Sequence, residues 1–298
     1  MSSEANGPQE GAYAEVRERR GLKKGLYLLP SAFTAANVGM GYFAVMAALR
    51  GFQLMGDGPD GEGVRAATVH FDNASRAIGW AILFDTLDGR IARLTKTTTE
   101  MGIQFDSIAD VLTFGIAPAV LIYAWGYGGA NPEGSQLHKL GWFLSFMFLI
   151  CGALRLARFN VQATRPRPLA EGSAKVDKKS FLGLPIPAAA GLLASVVHFA
   201  PSPLASYGPY WSTLYAGLLM GLVAVLSALM VSTIRYSSFK TLGAGKRSTI
   251  KVVPLLAAVG MLIWLFSRYV LLAIVLAYVL HGLVFRLAAL FHSRPAED

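Results

Sequence analysis

Apolar segments long enough to cross a bilayer recur along the chain, and no other feature restricts its fold so strongly. A helix spans the hydrocarbon core with about 20 predominantly apolar residues. Such segments fall at Leu26–Leu49, Ser75–Leu94, Gly102–Tyr127, Leu137–Asn160, Leu184–Phe199, Tyr210–Ile234, Val252–Ser267 and Tyr269–Phe291. The pattern predicts an all-α polytopic membrane bundle of about eight transmembrane helices. The last two segments form one apolar stretch that would overshoot a bilayer, so a tight turn is expected at Arg268. Pro185 and Pro187 mark the start of the short fifth helix, because proline is tolerated in a first turn.

Composition agrees. Of 298 residues, 54% are hydrophobic and 15% charged, whereas a soluble domain carries about a quarter charged residues. Lys and Arg total 27 against 18 Asp and Glu. In a soluble chain that excess would suggest nucleic acid; here it points to anionic lipid, with no nucleic-acid partner expected. The single cysteine, Cys151, excludes an intramolecular disulfide and a cysteine-cluster zinc site, and its apolar neighbours predict a buried, inert thiol.

The first apolar segment is about twice the length of a signal-peptide core and is expected to be retained. Residues 1–25 read as a disordered tail ending in Arg17, Arg19, Arg20, Lys23 and Lys24. Counting Lys and Arg at alternate helix ends leaves Arg50, Arg65, Arg76, Lys139 and Arg268 on one side and all the others on the opposite side. That bias places both termini, and the turn after the second helix, in the cytoplasm. The cell (inner) membrane is the expected location. Residues 26–234 then form a six-helix core, and residues 235–298 a loop followed by two further helices.

The stretch Phe84–Pro118 sets Asp85, Asp88, Asp106 and Asp110 at the facing ends of two spans. An ionisable side chain costs roughly 2.5–3.5 kcal/mol in a transmembrane helix, so it marks function by default. Asp85, Asp88, Gly89, Ala92 and Arg93 share one face at 3.6 residues per turn, and Gly102, Asp106 and Asp110 share another. The short connection Thr95–Met101 makes the two helices antiparallel neighbours whose acidic faces converge. Carboxylates without His or Cys select a hard divalent ion, Mg²⁺ or Mn²⁺, and Mg²⁺ usually works with a substrate phosphate. Gly89 and Ala92 clear bulk from this face, while Arg93 offers a planar donor fork suited to phosphate. Arg90 reads as a snorkelling or lipid-facing cation. The features together describe a metal-dependent site for a phosphorylated, membrane-resident substrate.

The pattern D-x2-D-G-x2-A-R-x8-G-x3-D-x3-D, filled by Asp85, Asp88, Gly89, Ala92, Arg93, Gly102, Asp106 and Asp110, resembles the signature of the CDP-alcohol phosphotransferases. The resemblance implies a six-helix catalytic core and transfer of a phosphatidyl-type group from a CDP-linked lipid to an alcohol, with CMP released. It implies that the four aspartates bind two divalent ions and that Asp110 is the general base. Gly89 and Ala92 would line the cytidine pocket, and Arg93 would hold the diphosphate. The flanking runs LPSAFTAANVGMGYFA, FDSIADVLTFGIAPA, RLARFN and LGLPIPAAA, with the two extra C-terminal helices, resemble the branch that joins CDP-diacylglycerol to L-serine. Members of the family form homodimers, and by that analogy this chain is expected to do so.

An acceptor serine needs a partner for its carboxylate. Arg155 and Arg158, with Asn160 beyond them, are candidates for that group or for a lipid phosphate; positive-inside anchoring is the other reading of the arginines. Asn37, polar within the first span, either contacts the nucleotide or bonds a neighbouring helix. His198, near the outer end of the fifth span, reads as interfacial. Other acceptors (glycerol phosphate, inositol phosphate, inositol or choline) remain alternatives, as does a divalent-cation transporter. A transporter, however, predicts carboxylates near the midplane of several helices and an open route to both sides. A non-catalytic scaffold is disfavoured by the intact motif.

Overall fold

The computed structural model describes residues 7–56, 61–95, 100–164, 180–237 and 249–292. Seven helical rods make up almost all of them. They are α1 (Gly7–Leu54), α2 (Glu62–Thr95), α3 (Glu100–Ala130), α4 (Gln136–Thr164), α5 (Ile186–Phe199), α6 (Pro209–Val231) and α7 (Thr249–His292). Five of the rods contain stretches long and apolar enough to cross a membrane: Ser31–Leu54, Glu100–Ala130, Gln136–Gln162, Pro209–Val231 and Ala257–Gly282. The charged groups of α2 and the 14-residue length of α5 keep those two outside that set, although both are packed within the bundle. The chain is an all-α polytopic membrane protein.

Two expectations change. α1 begins at Gly7, so helix replaces the expected disorder across most of the N-terminal tail. The last two segments form one helical stretch that breaks at Phe266 (φ −133°, ψ 42°), two residues before the expected turn. Most of the basic connection after α4 lies outside the described residues.

α1 lies along α2 for much of its length. On α2 the buried residues Ala67, Phe71, Ala74, Ile78 and Ala81 recur at helical spacing. Small side chains in this stripe let membrane helices approach closely, where packing rather than hydrophobicity drives association. α3 runs through the centre of the bundle and touches α1, α2, α4, α5 and α6. Twice it widens into π-helix, at Val111–Ile116 and Tyr123–Tyr127. The first of these begins at the residue after Asp110; such turns frequently accompany functional sites.

At the end of the bundle that carries the aspartates, two three-residue strands pair antiparallel: β1 (Ser180–Leu182) with β2 (Arg235–Ser237). Gly183 follows with φ +81°, donating its N–H to the Ile234 carbonyl at 2.8 Å, and a Cβ there would collide with the Met230 carbonyl. The ribbon ties the entry to α5 to the exit from α6.

At the opposite end His198, near the end of α5, is buried in the bundle. It is 4% exposed, with Nδ1 2.6 Å from Asp72 Oδ1 and Nε2 3.0 Å from Ser267 Oγ. Burying a polar ring requires partners, and α2 and α7 supply them. Arg76 pairs with the other Asp72 oxygen at 2.9 Å. Cys151 is buried and free.

Candidate active site

α2 and α3 bring their acidic faces together. Asp85, Asp88 and Asp106 each offer a carboxylate oxygen, and these oxygens lie within 4.8 Å of one another. Asp110, one turn further along α3, stands within hydrogen-bond reach of Asp85 and interacts electrostatically with all three. The i, i+3 and i, i+4 spacings that put the carboxylates on two helix faces thus produce one four-carboxylate cluster.

The cluster fits divalent cations. Oδ1 of Asp106 and Oδ1 of Asp110 are buried and have no hydrogen-bond partner. Unpaired carboxylate oxygens in a low-dielectric setting carry a desolvation penalty of several kcal/mol per ion, on the order expected for buried charges, unless an opposite charge joins them. Oxygen-only ligands suit Mg²⁺ or Mn²⁺ chemistry. Asp88 is 4% exposed and is pinned by Thr34 of α1, whose hydroxyl donates to Oδ2 at 2.9 Å.

One turn beyond Thr34, Asn37 is fully buried, and neither polar atom of its side chain has a hydrogen-bond partner. Its backbone carbonyl accepts from the Thr113 hydroxyl at 3.2 Å, so the contact with a neighbouring helix is made by main chain. α1 approaches this π-turn closely: a Cβ on Gly41 would lie 2.5 Å from Thr113 Oγ1.

Gly89 leaves an open face on α2, bordered by Arg93, whose Nε donates to the Gly89 carbonyl at 2.7 Å. Ala92 is half-buried on the same side, while Arg93 and Gly102 are exposed. On α3's other flank lies a cavity of about 190 Å³, lined by Asp106, Asp110, Arg155 and Asn160 among others. Arg155 is half-buried, its Nε has no partner, and it interacts electrostatically with Asp110. Asn160 Nδ2 donates to Ser107 Oγ at 2.8 Å, which fixes α4 against α3 beside the cavity.

A family-wide sequence model, CDP-alcohol phosphatidyltransferase, matches residues 27–228. The chain belongs to this family. Among individual CDP-alcohol phosphatidyltransferases it is similar to the CDP-diacylglycerol--serine O-phosphatidyltransferase of Helicobacter pylori (strain J99), 34% identical over 221 residues, covering 72% of this chain and 74% of the relative. A protein of the same name from Methanocaldococcus jannaschii is 35% identical over 167 residues, 56% of this chain and 65% of that one. Another, from Mycobacterium tuberculosis (strain CDC 1551 / Oshkosh), is 28% identical over 275 residues, 89% and 79% of the two chains. The family segment contains both acidic helices and the cavity, and ends before α7.

The structure brings Asp85, Asp88, Asp106, Asp110, Gly89, Ala92 and Arg93 onto two neighbouring helices, and adds Arg155 and Asn160 from α4. Arg158 does not line the cavity: its guanidinium donates to the Val231 carbonyl at the end of α6, 3.4 Å away. Thr34 escaped the sequence reading. Its signal was its place three residues before Asn37, on the same helix face.

Proposed function

We propose that the protein transfers the phosphatidyl group of CDP-diacylglycerol to the hydroxyl of L-serine, giving phosphatidylserine and CMP. The observation that carries this reading is the cavity with Asp106 and Asp110 on one wall and Arg155 on another. It offers a base and a carboxylate-binding cation across a space suited to a small amino acid. The names of the similar proteins support the same acceptor.

Asp85, Asp88, Asp106 and Asp110 would hold two divalent ions, Mg²⁺ or Mn²⁺, which when bound stabilise the attacking and leaving oxygens of an in-line displacement. Arg93 faces the diphosphate, and the open surface of Gly89 and Ala92 receives the cytidine. Arg155 holds the serine carboxylate through charge-assisted hydrogen bonds. Asp110 takes the proton of the serine hydroxyl as its oxygen bonds to the lipid-side phosphorus. The bond from that phosphorus to the bridging oxygen breaks, and CMP departs with the electron pair. Direct transfer needs no covalent enzyme intermediate.

Residues 26–234 form the catalytic core in this reading. The Lys and Arg bias places the site at the cytoplasmic face of the cell membrane, with both termini on that side. Nucleotide and serine then meet the site from water while the acyl chains stay in lipid.

The test is an acceptor panel with purified protein in detergent and CDP-diacylglycerol, scored by CMP release and the lipid formed. Serine-dependent CMP release with phosphatidylserine as product is expected. Release with glycerol phosphate, inositol phosphate, inositol or choline, but not with serine, would overturn the assignment.

A further inference from the structure

The acceptor cavity is lined by polar groups of three kinds. Asp106 and Asp110 of α3 supply carboxylates, and Arg155 of α4 supplies a guanidinium whose Nε is buried without a partner. The third kind is neutral: Ser107 and Asn160 both line the cavity, joined across α3 and α4 by a hydrogen bond of 2.8 Å. The remaining lining, Ile103, Leu156 and Phe159, is apolar. A charged group entering this space must therefore find its partners among the polar side chains.

The Ser107–Asn160 bond fixes which way round the amide stands. Ser107 Oγ donates to the Ile103 carbonyl, one turn back on α3, at 3.0 Å. A carbonyl only accepts, so the single hydroxyl proton of Ser107 is committed there. Its oxygen can then only accept from Asn160, which requires the NH2 group against it; the reversed amide would set two acceptors face to face. With its nitrogen held on Ser107, the amide has its carbonyl oxygen to offer to a ligand.

A neutral acceptor suits this position. A carboxylate here would put another negative charge beside Asp106 and Asp110 and would compete for Arg155. An amide oxygen accepts from a cation without doing either, and an ammonium brings three N–H donors and no acceptor. A hydroxylated α-amino acid carries three polar groups, and the lining matches each in kind: hydroxyl to Asp110, carboxylate to Arg155, ammonium to Asn160. An acceptor bearing a phosphate in place of the ammonium would set acceptor against acceptor at Asn160.

We propose that Asn160 selects an acceptor bearing an ammonium group, its Oδ1 receiving an N–H of that group while Ser107 holds the amide in the required orientation. The proposal rests on the reading of the cavity as a serine pocket and deepens it.

Its test compares serine with 3-hydroxypropionate, which keeps the hydroxyl and the carboxylate and lacks the ammonium. With the purified full chain and CDP-diacylglycerol, KM for serine is measured from phosphatidylserine formation. The inhibition constant of 3-hydroxypropionate against serine is read in the same assay. Asn160→Leu should raise the serine KM roughly tenfold, the scale of one lost hydrogen bond to a charged group. It should leave the inhibition constant of 3-hydroxypropionate and the KM for CDP-diacylglycerol unchanged. Ser107→Ala breaks the same contact between α3 and α4 but keeps the carboxamide, so it should raise the serine KM less. An unchanged serine KM in Asn160→Leu, an equal rise for serine and 3-hydroxypropionate, or a Ser107→Ala effect as large as that of Asn160→Leu would each overturn the proposal. If the wild-type protein forms no phosphatidylserine, the serine assignment fails and takes the proposal with it. If serine is used and Asn160→Leu weakens both compounds alike, the proposal alone fails.

Discussion

Thr34 Oγ1 donates to Asp88 Oδ2 at 2.9 Å across the buried seam between α1 and α2. A carboxylate that binds a cation through one oxygen is oriented by the hydrogen bond on its other, and losing such a partner typically weakens metal affinity about 10–100-fold. Thr34→Val should weaken Mn²⁺ binding by about that factor, with Thr34→Ser restoring most of it. Titration of Mn²⁺ followed by electron paramagnetic resonance checks this. Unchanged affinity in Thr34→Val would remove Thr34 from the site.

Asp110 and Asp88 should fail in different ways. Asp110→Asn removes the proposed base and should lower CMP release by about 10²–10⁴-fold, while nucleotide binding is partly retained. Asp88→Ala should lose metal-dependent nucleotide binding as well. Turnover assays beside CDP-lipid binding separate the two, and near-normal turnover in Asp110→Asn would reject its role as base.

The opposite end of the bundle carries a stability prediction. Asp72 accepts from His198 and pairs with Arg76, linking α2 to α5 and, through His198, to Ser267 of α7. Asp72→Ala strands these partners and should cost about 1–3 kcal/mol, the penalty for buried donors left unmade. A lowered melting temperature in detergent is the expected readout. An unchanged one would mean that the network is not needed to hold α7.

Gly41 gives a packing test nearer the site. A Cβ at that position would stand 2.9 Å from the Thr113 Cα, backbone that cannot swing aside. Gly41→Ala should therefore cost about 1–3 kcal/mol by overpacking. It should also impair turnover, because Thr34 and Asn37 ride on the helix it displaces. Thermal unfolding and CMP release measured on one preparation would show both effects, and wild-type values for both would contradict the close approach.

The acidic centre was legible because helical spacing alone puts Asp85 with Asp88 and Asp106 with Asp110, and a short connection leaves their helices little choice but to face each other. Other features depend on contacts between segments distant in sequence. Thr34 becomes informative only once α1 lies on α2, and Arg158 looks like Arg155 until α6 ends beside it and offers the Val231 carbonyl. His198 reads as interfacial from its place near the outer end of its span, and only the packing of α2 on α5 brings Asp72 to its ring. The π-turn after Asp110 has no sequence signal, since an apolar run such as VLTFGI suits an α-turn equally well. The break near Arg268 was legible from length, and its placement at Phe266 was not.

The most direct measurement is CMP and phosphatidylserine formation from CDP-diacylglycerol and serine by chelator-treated protein, followed as Mg²⁺ or Mn²⁺ is added back. The account predicts no product from the stripped protein and recovery on titration, with both products rising together and only when serine is present. Equal turnover before and after chelation, or CMP release that ignores serine, would contradict it.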